Sequence, residues 1–170
     1  MKAAATATEV LATLLLGLMA GFFFAFSVDV VPAMRQLDAQ GYIATQQAIN
    51  QAVRNALFGG VYFGSALLPL FAAAAWMAGG NRPRAAAWAV IALAYGGGVF
   101  WLTRQVNVPI NDALATWSPL APPADWAAAR DTWNSANLVR SWVAAGAFAA
   151  ALAVRTWFPG SDRACRRCAA

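Results

Sequence analysis

The sequence predicts an all-α integral membrane protein, a bundle of four crossing helices. Three observations lead there. Hydrophobic residues make up 61% of the 170 residues and charged residues only 11%. A soluble domain carries about 25% charged residues, so this composition belongs to the membrane class. Four apolar segments meet or approach the roughly 20 residues that a helix needs to span hydrocarbon, where nothing else satisfies open backbone. Most of the prolines and amides fall between or at the ends of those segments.

The first segment covers residues 10–31. Lys2 precedes it as in a signal peptide, but the apolar run is too long and lacks a convincing cleavage site, so it is expected to be retained. Pro32 is expected to kink or end it. The connection 32–55 follows. In it Gln46, Gln47, Asn50 and Arg54 recur at three- and four-residue spacing, which predicts a helix with one polar stripe. The second crossing is 56–78. The third, 85–102, is short but free of charge. Pro109, Pro119, Pro122 and Pro123 predict irregular backbone in the second connection, 103–137. Asp125 suits the cap of a helix starting at Trp126. No Gly or Pro interrupts 126–145, so that helix is expected to run on into the fourth crossing, 138–158.

Lys and Arg in the flanks set the expected orientation. Lys2, Arg82, Arg84, Arg155, Arg163, Arg166 and Arg167 fall on one side. Arg35, Arg54, Arg104, Arg130 and Arg140 spread over longer connections on the other. Both termini are therefore expected to be cytoplasmic, in a bacterial inner membrane, with both long connections on the outer face. Trp76, Trp88, Trp101, Trp142 and Trp157 stand near segment ends and are expected to form an aromatic belt. Residues 1–158 read as one transmembrane domain and 159–170 as a basic cytoplasmic tail. The pairs Gly17/Gly21 and Gly60/Gly64 have the spacing of close helix contacts, within the chain or between copies.

Several function classes fall away. The chain has no His, so His-ligated haem, His-based zinc or iron sites and Ser-His-Asp or Cys-His nucleophiles cannot be built from it alone. No Walker or Gly-x-Gly-x-x-Gly pattern supports nucleotide binding, and no basic-aromatic patch supports nucleic acid. Cys165 and Cys168 form a lone CxxC in the tail, without a second pair. No metal site and no cofactor is expected. Mid-span charge is missing, which disfavours an ion pump or proton-coupled carrier.

The remaining candidates cluster near the outer ends of the helices. Trp133, Asn137 and Arg140 share a helix face, being four and three residues apart. One reading makes Arg140 and Asn137 donors to a substrate oxygen, with Trp133 stacking on its ring. The other makes Arg140 a snorkelling residue paired with Asp112 or Asp29. Asn107 and Asn111 flank Pro109. They either close a turn, with Asp112 capping a short helix, or form a polar shelf facing Asn50 and Asn137. Asp29, near the outer end of the first crossing, is either a proton-transfer group or a partner of Arg35. Phe22, Phe23, Phe24 and Phe26 either line an aromatic pocket or pack against helices and lipid.

Residues 21–34 (Gly-Phe-Phe-Phe-Ala-Phe-Ser through Val-Pro-Ala-Met), Gln47-Ala-Ile-Asn50, Asn107-Val-Pro-Ile-Asn-Asp112, Trp126 and Trp133-x3-Asn137-x2-Arg140 occur in that order. With these pieces the chain resembles the anthrone-oxygenase-like membrane proteins. The resemblance implies about four membrane helices. It also implies oxidation of anthrones to anthraquinones by molecular oxygen without a classical cofactor, as in characterised fungal relatives. Many relatives carry His after the Asn of the last motif, where this chain has Leu138. On this reading Asp29 or Asp112 is the base, and Arg140, Asn137 and Asn107 hold the enolate oxygen. Asn50 and Asn111 add polar contacts, and Trp133 and Phe24 stack on a hydrophobic aromatic substrate. The alternative is a non-catalytic accessory or lipid-binding module whose amide cluster is a structural seam. Self-association is left open.

Overall fold

The computed structural model describes residues 2–157. The tail with Cys165 and Cys168 lies outside the described residues. Five helices make up the fold: α1 (Lys2–Met34), α2 (Ala39–Ala52), α3 (Ala56–Ala78), α4 (Arg82–Leu114) and α5 (Trp126–Trp157). All but α2 are long and apolar enough to cross a membrane. α1 packs on α3 and α5, and α4 packs on the same two, which closes the bundle. α2 lies across one end, against the last turns of α4.

Each long helix turns one narrow stripe inward. Ala12, Leu16, Met19 and Phe23 in α1, Ala85, Trp88, Ala92, Tyr95 and Val99 in α4, and Ala144, Ala147, Ala151 and Val154 in α5 are buried at three- and four-residue steps. Large apolar residues such as Leu14, Leu67, Phe71, Val90, Leu93 and Leu152 point outward instead. Lipid solvates Leu as well as a protein core does, so such bundles reserve small residues for helix contacts. A Cβ on Gly64 would come within 2.5 Å of Leu15, and one on Gly17 within 2.9 Å of Phe148. The glycine pairs thus behave differently within themselves: Gly17 and Gly64 sit at helix contacts, while Gly21 and Gly60 face open space.

Two helices run further than expected, for the same reason. α1 passes Pro32 and α4 passes Pro109. In both, a wide π turn comes first: Phe26–Val30 before Pro32, and Thr103–Asn107 before Pro109. Val31 N–H bonds Phe26 O and Val108 N–H bonds Thr103 O, five residues back. Such a turn shifts the hydrogen-bond register and absorbs the proline's missing donor. The third crossing is therefore not confined to 85–102, and Asp112 lies inside α4 rather than capping a separate helix. The irregular backbone starts only after Leu114, around Pro119, Pro122 and Pro123. α5 begins at Trp126 and runs unbroken, as expected; Ala129 N–H reaches Asp125 O at 3.1 Å.

The end of the bundle where α1 starts also holds the tight turn between α3 and α4. There Gly80 adopts φ +79°, and Asn81 caps α4 through Arg84 N–H at 3.2 Å. Glu9 is 1% exposed at this end and meets the Arg84 guanidinium at 2.8 Å. Trp76 Nε1–H donates to Glu9 at 3.0 Å, and Arg84 lies 4.2 Å over the Trp76 ring. Trp76 and Trp88 are buried here, so they are core residues and not part of an interfacial belt; Trp101, Trp142 and Trp157 are exposed. At the opposite end, Met34, Tyr42, Ile43 and Leu114 form a second, smaller core with Trp117 and Trp126. Burial there pushes the Tyr42 hydroxyl up to about 12.

Candidate functional site

Just beneath that smaller core lies a cavity of about 370 Å³, within the usual size range of ligand pockets. α1, the end of α2, the start of α3, the π turn of α4 and the first half of α5 enclose it. Its walls are largely aromatic: Phe22, Phe23 and Phe26 from α1, Phe58, Tyr62 and Phe63 from α3, and Trp133 from α5. Phe58 and Tyr62 stack at 5.8 Å between ring centroids, and Phe26 meets Trp133 at 5.2 Å. A short list of polar groups faces inward: Arg140, Asn137, Thr103, Asn111, Gln46, Asn50, Asn55 and Arg54.

Arg140 dominates the electrostatics. Only 6% of it is exposed. Nη1–H donates to Thr103 Oγ1 at 3.1 Å and Nη2–H to Asn137 Oδ1 at 2.8 Å. The guanidinium carbon lies 4.8 Å over the Phe23 ring and 5.3 Å over Trp133. No carboxylate among the described residues pairs with it, and its Nε–H has no partner. The cation is thus held by neutral dipoles and ring faces, and its Nε is left without any acceptor. Asn137 is itself fixed: its Nδ2–H donates to Ser27 Oγ at 2.8 Å. Ser27 in turn lies 2.8 Å from Ser141 Oγ. Ser27 sits within the π turn of α1, and Thr103 opens that of α4. Both wide turns therefore supply the groups that hold Arg140 in place, a recurrent use of π turns.

The amides divide by role. Asn111 lines the cavity and accepts Trp133 Nε1–H at 2.8 Å, fixing the ring. Asn107 is buried behind the wall, donating to Trp133 O at 3.2 Å. Gln46 Nε2–H donates to Asn50 Oδ1 at 3.1 Å, and the buried Asn50 Nδ2–H has no partner. The polar stripe of α2 is thus split. Gln46 and Asn50 face the cavity, while Gln47 ties α2 to the carbonyls of Leu114 and Trp117 at 2.9 Å.

Of the residues singled out from sequence, Asn50, Asn111, Trp133, Asn137 and Arg140 come together around this space, and Asn107 backs it. Three do not join them. Asp29 is exposed, and Phe24 is 61% exposed; neither lines the cavity, because α1 turns Phe22, Phe23 and Phe26 toward it instead. Asp112 points outward and approaches Arg54 at 3.8 Å, with both side chains 66% exposed. It reaches the site only through Arg54, at the rim. Arg140 accordingly pairs with neither aspartate. Ser27, Thr103 and Tyr62 were missed as site residues. Hydroxyls within apolar spans were the available signal, but many such hydroxyls bond only their own helix, as Ser65 does to Val61 O. The Glu9–Arg84 pair was also missed: a lone Glu and a helix-start Arg, 75 residues apart, carry no local signature.

Leu138, the position at which the resemblance implies a His, is 51% exposed and does not line the cavity. One step past Asn137 turns a helical side chain by about 100°, away from the site. The departure therefore removes nothing from the cavity wall of this chain.

No curated protein and no solved structure matches the chain. The anthrone oxygenase family matches residues 53–150, more than half of the chain and spanning Arg54, Tyr62, Thr103, Asn111, Trp133, Asn137 and Arg140 of the cavity. A match of that extent, over an all-helical bundle with four membrane-length helices, makes the chain a member of the anthrone oxygenase family.

Proposed function

We propose that the cavity binds a flat, hydrophobic aromatic ketone of the anthrone type and promotes its oxidation by molecular oxygen without a cofactor. The observation that carries this reading is Arg140, a buried cation with no carboxylate partner among the described residues and an Nε–H without an acceptor, lining an aromatic-walled space. A buried charge is costly, and what compensates it best is an anionic oxygen accepting its hydrogen bonds. An enolate oxygen is such a group, and charge develops on it as the ketone ionises. Donors already fixed by Asn137 and Thr103 need no reorganisation at that moment.

The chemistry then balances as follows. The ring CH₂ opposite the carbonyl loses a proton, and the enolate oxygen settles against Arg140. The enolate passes one electron to O₂, and the carbon radical and superoxide combine to a peroxide, which takes a proton. Loss of water from the HC–O–OH group leaves a second carbonyl. One oxygen atom enters the product and the other leaves as water; four electrons leave the carbon and four reduce O₂. Among the described residues no carboxylate lines the cavity, and the chain has no His, so the departing proton goes to solvent at the rim, where Arg54 and Asp112 stand. Asp112 thereby shapes the rim instead of touching the ligand.

That same lack of a protein base favours a second reading, in which the site binds an anionic aromatic compound without turning it over. Oxygen uptake by purified protein given a simple anthrone separates the two. Uptake above the uncatalysed rate, with anthraquinone formed and activity lost in Arg140→Ala, is the expected result. Folded protein that binds anthrone and leaves its oxidation rate unchanged overturns the oxygenase reading and leaves the binding one.

A further inference from the structure

We infer that the ligand of this site is an amphiphile whose ring occupies the Arg140 cavity while an apolar chain on it lies between α1 and α3, in contact with the bilayer. The inference deepens the proposed function and rests on its placement of the ring. A groove of about 580 Å³ adjoins the cavity. Six residues line both: Phe22, Phe26, Ile49, Val53, Asn55 and Phe58. Beyond them the groove is formed by Leu18, Met19, Val30, Ala52, Leu57 and Val61, all apolar. The two spaces therefore adjoin along one shared wall, with polar groups concentrated on the cavity side.

α1 and α3 touch closely where Gly64 meets Leu15. Further toward the α2 end the two helices part, and Leu18, Phe22 and Phe26 of α1 face Leu57, Phe58 and Val61 of α3 across the groove. Phe22 of α1 and Phe58 of α3 bridge the parting at 5.1 Å between ring centroids, and they mark the junction between cavity and groove. Leu18 and Phe22 are about half exposed, and Leu57 is 79% exposed, so the groove faces outward at membrane depth. Water would leave this surface poorly solvated, and a methylene chain suits it. Lipid tails are as apolar as the groove, so the chain gains little by transfer from the bilayer. Its effect is to deliver the ring from the membrane and to orient it toward Arg140.

The test uses the full-length protein in lipid nanodiscs and a hydroxyaryl ketone bearing an eight-carbon chain with a diazirine at its end. After photolysis, label is expected on the peptides carrying Leu18, Leu57 and Val61. An excess of the same ketone without the chain is expected to suppress it at least fivefold, as is Arg140→Ala. Ala52→Trp, at an exposed position on the groove wall, is expected to weaken binding of the chained ketone about tenfold more than that of the chainless one. Label spread over all lipid-facing helices and insensitive to the competitor overturns the inference. So does competitor-sensitive label on the polar side, near Gln47 and Ala115. If chainless anthrone is oxidised while the label misses the groove, the inference fails and the oxygenase reading stands. If the label lies in the groove but no ketone consumes oxygen, the inference stands and the oxygenase reading fails.

Discussion

At the scale of single residues, two arginines are buried among the described residues, with opposite arrangements. Arg84 is neutralised by Glu9 at 2.8 Å, whereas Arg140 has only neutral neighbours among the described residues. The first is a closed pair and the second an open one, so their variants should fail differently. Glu9→Gln leaves Arg84 as an uncompensated charge and should cost about 3–5 kcal/mol of stability. The double variant Glu9→Leu, Arg84→Met should recover most of that loss, and thermal unfolding in detergent reads both. Arg140→Lys keeps the charge but replaces a five-donor fork with a single ammonium, which cannot hold Thr103, Asn137 and a ligand oxygen together. On the proposed reaction, turnover of anthrone should fall about 100-fold or more, the usual effect of losing an oxyanion donor. Ser27→Ala should sit between these. It leaves the buried Asn137 amide without its acceptor, at about 1–3 kcal/mol, and lets Asn137 drift from Arg140.

At the scale of elements, what sequence disclosed was the periodicity, and what it hid was the register. The stripe Trp133, Asn137, Arg140 was readable because α5 is regular from Trp126 onward. The polar stripe of α2 was readable for the same reason. Pro32 read as a kink or an end of α1 and Pro109 as irregular backbone, because a proline removes a helix hydrogen bond; the π turns that let both helices pass leave no residue signature of their own. Those turns re-aim the side chains in and after them, which is why Asp29 and Asp112 were placed near the site on linear grounds and stand outside it; Phe24 precedes the turn and simply lies on the outward side of α1, between the inward Phe23 and Phe26. The α4–α5 contact tests this view of the π segments. Gly98 lies in the wide turn Gly96–Trp101, and a Cβ there would come within 2.8 Å of Val143. Gly98→Ala should cost about 1–3 kcal/mol by pushing α5 away, and it should also weaken ligand binding, since Thr103 on α4 must reach Arg140 on α5. Adding Val143→Ala should restore both. A double-mutant cycle with no coupling between 98 and 143 would show that the two helices do not depend on this contact.

At the scale of the whole molecule, the packing fixes one feature of topology and charge proposes the other. Val10 and Leu14 of α1 lie beside Leu152 and Arg155 of α5, and Glu9 meets the start of α4, so the start of α1 and the end of α5 share one end of the bundle. Four crossings require this arrangement. Which side of the membrane that end occupies follows from the basic residues left in the flanks. Arg84 no longer counts in full, since Glu9 neutralises it, and Arg140 faces the cavity rather than lipid headgroups. Removing both leaves Lys2, Arg82 and Arg155, with Arg163, Arg166 and Arg167 in the sequence beyond, against Arg35, Arg54, Arg104 and Arg130. Arg54 and Arg130 are themselves beside Asp112 and Asp131. The balance still favours cytoplasmic termini, because short basic flanks next to a span weigh most. Cysteine substitutions at Thr116 and Ala3, both exposed, check it in a background with Cys165 and Cys168 changed to Ser. In intact cells a membrane-impermeant maleimide should label Thr116→Cys and spare Ala3→Cys until the membrane is opened. The reverse pattern would place the Arg140 cavity on the cytoplasmic side, where its solvent-facing rim would meet the reducing interior and a different supply of ligands.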